Sequence, residues 1–171
     1  EGIAMSTNAR GGVMKSLGRM FTGESIFMAN YTAEKDDAEI AFASTVPGSI
    51  VPVNMSELPQ GLIIQKRSFL CAEDDVETKV EFTKKLSAGF FGGEGFILQK
   101  ASGKGMMFME VDGDAIEKEL GAGEVLKVDT GNVVAFAPSV SYEIEMVKGL
   151  GNMLLGGEGL FLTKLTGPGK V

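Results

Sequence analysis

One short pattern occurs three times in this chain, and it constrains the fold more than any other feature. Met20-Phe21-Thr22-Gly23-Glu24-Ser25-Ile26-Phe27-Met28 recurs as Phe90-Phe91-Gly92-Gly93-Glu94-Gly95-Phe96-Ile97-Leu98, and again as Leu154-Leu155-Gly156-Gly157-Glu158-Gly159-Leu160-Phe161-Leu162. The glutamates stand at positions 24, 94 and 158, so the two steps are nearly equal. Self-similarity on this scale marks a chain built from tandem units. The stretches between the blocks match as well. Ile40-Ala41-Phe42 pairs with Met106-Met107-Phe108, and Leu62-Ile63-Ile64 with Val125-Leu126-Lys127-Val128. Ser68-Phe69-Leu70-Cys71-Ala72 pairs with Val134-Ala135-Phe136-Ala137-Pro138, and the run 76–82 with 140–146. The expected organisation is one all-β domain over 1–171. It holds a partial unit at about 1–19, full units at about 20–89 and 90–153, and a partial unit at about 154–171.

Within each unit the apolar residues alternate, which is the signature of strands with one dry face. Val140, Tyr142, Ile144 and Met146 oppose Ser141, Glu143 and Glu145; Val76, Thr78, Val80 and Phe82 oppose Glu77, Lys79 and Glu81. The segments after each Gly-Glu, such as Phe96-Ile97-Leu98, are apolar on both faces and read as strands covered on both sides. Turn chemistry separates the strands, at Pro47-Gly48, Asp112-Gly113, Thr130-Gly131-Asn132 and Gly167-Pro168-Gly169. Glycine supplies 24 of 171 residues, about twice the usual share, and suits frequent tight turns. Helix is scarce. Ala115-Ile116-Glu117-Lys118-Glu119-Leu120 has helical propensity, but its counterpart Ser49-Ile50-Val51-Pro52-Val53 carries a proline, so a strand is expected at both. Lys15 to Phe21 could form one or two helical turns.

Composition removes most familiar chemistry. The chain has no His, which excludes Ser-His-Asp and Cys-His catalysis, His-bearing zinc sites and the iron-binding facial triad. Its formal net charge of -7, with 2 Tyr and no Trp, suits neither a phosphate backbone nor stacked bases, so no nucleic-acid partner is expected. The single cysteine, Cys71, can form no internal disulfide and reads as a small buried hydrophobe, which fits a reducing compartment. No run approaches the ~18 apolar residues of a transmembrane helix. The opening Glu1-Gly2-Ile3-Ala4-Met5 resembles neither a signal nor a transit peptide, and its lack of an initiator Met leads us to expect a piece of a longer chain.

The candidate functional residues lie in the three blocks. Gly23-Glu24, Gly93-Glu94 and Gly157-Glu158 lead into strands rather than helices, and their acids would repel an anion. Phosphate loops are therefore not expected; tight corners are. The apolar pairs Met20-Phe21, Phe90-Phe91 and Leu154-Leu155 sit beside Lys15, Arg19, Lys84, Lys85 and Lys148. Such pairs call for burial in the core, in a subunit interface or in a membrane surface. The acidic runs Asp36-Asp37, Glu73-Asp74-Asp75 and Asp112-Gly113-Asp114 do not complete a calcium loop, so no metal and no catalytic residue is expected.

At the Gly-Gly-Glu-Gly blocks and the Gly167-Pro168-Gly169-Lys170-Val171 end, the sequence resembles the mitochondrial-biogenesis family named after altered inheritance of mitochondria. The bacterial and archaeal members of that family were long a domain of unknown function. The resemblance spans essentially the whole chain. It implies an all-β fold of tandem antiparallel repeats, like the subunit of the tryptophan RNA-binding attenuation protein, as a β-sandwich or short double-stranded β-helix. It also implies homotrimers in which repeats from three chains close a ring. It implies no enzymatic activity and no cofactor. The expected function is a non-enzymatic assembly or scaffold protein, cytoplasmic, with a peripheral membrane or protein partner at the apolar pairs. The alternative is a module binding a small molecule or peptide in a pocket between repeats.

Overall fold

A computed structural model of the protein describes residues 2–8, 28–84, 95–146 and 161–171. The fold is all-β, with short 3-10 turns as its only helical elements among these residues. The chain falls into two compact units, 1–43 and 44–171.

In the first unit, β1 (Ile3–Asn8) pairs antiparallel with β2 (Met28–Ala33). The rings of Tyr31 and Phe42 meet edge to face with centroids 5.4 Å apart. Ile40-Ala41-Phe42 is not a strand, although its sequence match Met106-Met107-Phe108 is one.

The second unit contains β3 (Gly48–Asn54), β4 (Leu62–Gln65), β5 (Phe69–Ala72), β6 (Val76–Lys84), β7 (Phe96–Gly103), β8 (Met106–Asp112), β9 (Glu119–Leu120), β10 (Val125–Asp129), β11 (Ala135–Phe136), β12 (Ser141–Met146), β13 (Phe161–Thr166) and β14 (Gly169–Lys170). They form sheets in the orders β3-β8-β5, β11-β4-β7-β6 and β10-β13-β12, with β14 paired to β9. All the ladders are antiparallel.

Strand β7 of the four-stranded sheet is buried on both faces. Residues on opposite faces of a strand alternate. Phe96 and Leu98 therefore face one core, shared with Ile63, Phe136, Phe161 and Leu165. Ala101 faces the other, with Ile64, Val76, Met55, Met107 and Met109. The β10-β13-β12 sheet supplies one covering layer and the β3-β8-β5 sheet the other.

One register occurs twice. Leu62 pairs with Ala101 and Gln65 with Leu98; Leu126 pairs with Leu165 and Asp129 with Leu162. The second set is the first moved on by one repeat, with a constant offset: 62 becomes 126, 65 becomes 129, 98 becomes 162 and 101 becomes 165. Glu77 with Ser102 and Val80 with Gln99 likewise become Ser141 with Thr166 and Ile144 with Thr163. Of β6 and β12, only β6 carries a bulge, between Val80 and Phe82. This register makes Ala135 and Phe136 the counterparts of Cys71 and Ala72, which shifts the alignment of the sequence alone by two positions.

Two further expectations need correction. Of 115–120, only Glu119 and Leu120 form a strand. Alternation places Met146 on the dry face of its strand, yet it is 58% exposed. It ends β12, where the burial alternation breaks at Glu145.

Glycine is required where two backbones touch. At Gly103 φ is +122°, and a Cβ there would overlap the Asp75 carbonyl oxygen. Gly167, its counterpart one repeat on, stands as close to the backbone of Leu120 and Gly121. Gly123, at φ +75°, faces open space. Gly103→Ala is expected to destabilise the fold by about 2–3 kcal/mol and Gly123→Ala by about 1 kcal/mol in urea unfolding. Equal losses at the two sites would refute the close-approach explanation.

Candidate functional site

The twelve residues singled out from sequence, Gly23, Glu24, Gly93, Glu94, Gly157, Glu158, Met20, Phe21, Phe90, Phe91, Leu154 and Leu155, lie outside the described residues. Their flanking strands are described. Each block falls between two strands that pair antiparallel: β1 with β2, β6 with β7, and β12 with β13. Gly95, next to Glu94, has a φ of +83° and leads directly into β7, as a tight corner requires.

A concavity among the described residues of the second unit lies elsewhere. It is an open groove of about 1180 Å³. Asp112, residues 114–118 and residues 131–137 line it, with Leu126, Val128 and Leu165. Val51, Val53 and Met109 also reach it. The rim is charged. Lys170 Nζ lies 2.9 Å from Glu117 Oε2, and Lys118 Nζ lies 2.9 Å from Glu124 Oε1. The other oxygen of Glu124 accepts the Gly121 N–H at 3.0 Å. Ser49 Oγ donates to Asp114 Oδ1 at 3.1 Å.

These contacts set the protonation behaviour of the rim. The hydrogen bond from Lys118, then the Gly121 N–H, holds the Glu124 carboxyl below the usual carboxylate range. The hydrogen bond to Glu117 raises the Lys170 ammonium above its ordinary value. These are exposed ion pairs, which orient side chains more than they stabilise the fold.

Of the acidic runs singled out from sequence, Glu73 and Asp114 have hydrogen-bond partners in Met106 and Ser49, so these two act structurally. Glu73 of the acidic run accepts the Met106 N–H on Oε2 at 2.9 Å, so it caps the start of β8. Glu110 accepts from Ser44 Oγ at 3.0 Å and from the Thr45 N–H at 2.7 Å. Cys71 is half-buried, and burial pushes its thiol pKa up, away from the reactive thiolate. Among the described residues, no three of Cys, Asp and Glu gather as a metal site. No helix among them is long and apolar enough to cross a membrane.

Sequence reasoning missed the groove. Its walls come from segments far apart in the chain, and Lys118, Glu124, Lys170 and Glu117 belong to no shared motif. The one available signal was Lys170, at the end of the Gly-Pro-Gly-Lys run.

Known proteins agree with this architecture. The family profile described as mitochondrial biogenesis AIM24 matches residues 1–171. The chain belongs to the AIM24 family. The Streptococcus pyogenes serotype M6 protein M6_Spy0233 is 27% identical over 155 residues, which is 90% of this chain and 60% of that protein. The chain thus spans about 60% of the length of this curated relative. The X-ray structure of Streptococcus pyogenes protein SPYM3_0169 superposes with a TM-score of 0.71 at 22% identity, covering 99% of this chain and 74% of that one. At this identity the likeness concerns the fold, and the all-β architecture of this AIM24 chain matches it.

The Glu124 contacts give a pH prediction. A carboxyl whose folded pKa is depressed adds stability that is fully present above its unfolded value of about 4.3, and that is lost as pH falls through the folded value. Lys118→Met is expected to raise the Glu124 titration midpoint toward the ordinary range, read from its carboxyl carbon by NMR. An unchanged midpoint would show that Lys118 does not set it.

Proposed function

We propose that this AIM24 protein is a non-enzymatic assembly protein whose tandem β units stack head to tail and close a homotrimeric ring. The observation that carries the reading is the strand register that recurs from one repeat to the next. The face of β7 bearing Phe96 and Leu98 is covered by the following sheet. Stacking in which one face of a unit meets the opposite face of the next is heterologous, and heterologous contacts close into rings when the rotation allows. The corresponding face of the last sheet carries Leu162, Lys164, Lys127, Glu143 and Glu145. Lys127 pairs with Glu145 at 2.7 Å and Lys164 with Glu143 at 3.1 Å. That face suits a wetter contact between subunits than the one inside the chain.

In this reading the protein is cytoplasmic, and the apolar pairs Met20-Phe21, Phe90-Phe91 and Leu154-Leu155 make its contacts with a membrane surface or a protein partner. The support is their spacing. They precede the second strand of three successive antiparallel pairs, which gives a ring several like contact points.

Sedimentation or native mass spectrometry is expected to give three times the chain mass; a stable monomer would refute the ring. Anionic vesicles should float with the parent chain and lose the double variant Phe90→Ser/Phe91→Ser. Equal flotation of the two, or none for the parent, would remove the membrane contact.

A further inference from the structure

We draw no further inference here: the strongest candidate, the outer face of the β3-β8-β5 sheet, on which Ile50 and Pro52 are exposed beside Phe108 and Cys71, is an apolar patch, and nothing among the described residues shows what covers it.

Discussion

The burial of β7 on both faces is the constraint on which the second unit depends. Phe96 and Leu98 are fully buried on one side and Ala101 on the other. A strand dry on both faces needs a covering layer on each. The β3-β8-β5 and β10-β13-β12 sheets are those layers, and their own alternation follows from the requirement. Met107, Met109 and Val111 turn inward from β8, while Met106, Phe108 and Glu110 stay half-exposed. Phe161, Thr163 and Leu165 turn inward from β13. The buried Thr163 hydroxyl is satisfied by Thr130 Oγ1 at 3.1 Å, so its polarity does not open the core.

The recurrence of one register extends this relation along the chain. The same ladder leaves β7 covered on both faces and β13 on one, although the outer face of β13 has Lys164 where β7 has Lys100, and Leu162 where β7 has Leu98. What differs is the neighbours. Glu143 and Glu145 on β12 supply partners for Lys164 and Lys127. Exposed pairs of this kind add at most about 1 kcal/mol each, so their main effect is to keep this face soluble and selective.

Much of the fold was legible from residues. The alternation at 76–82 marked β6, the doubly apolar Phe96-Ile97-Leu98 marked a strand between two layers, and Pro52 marked β3 as extended. Pro52 stands on an edge strand, where its missing N–H breaks no ladder. Other parts were not legible. Residues 115–120 have the composition of a strand or a helix. The structure leaves most of them outside any ladder, because a strand exists only where a partner offers hydrogen bonds. The alignment of 68–72 with 134–138 slid by two positions because both stretches are small and apolar, and only the hydrogen bonds of Glu73 and Ala137 set the true spacing. The Glu117–Lys170 pair at the groove was invisible, since the two become neighbours only after β9 meets β14.

The sequence by itself determined an all-β chain of repeated alternating strands, turning at glycines, without the side chains of histidine-based chemistry. Those properties are local: periodicity of two, turn propensity and residue inventory need no knowledge of what packs where. The tertiary structure alone decided which faces are covered and which carboxylates meet lysines. Those outcomes depend on pairing between segments far apart in the chain, and pairing is set by the joint demand of hydrogen bonds and apolar burial across the whole unit rather than by any stretch of it.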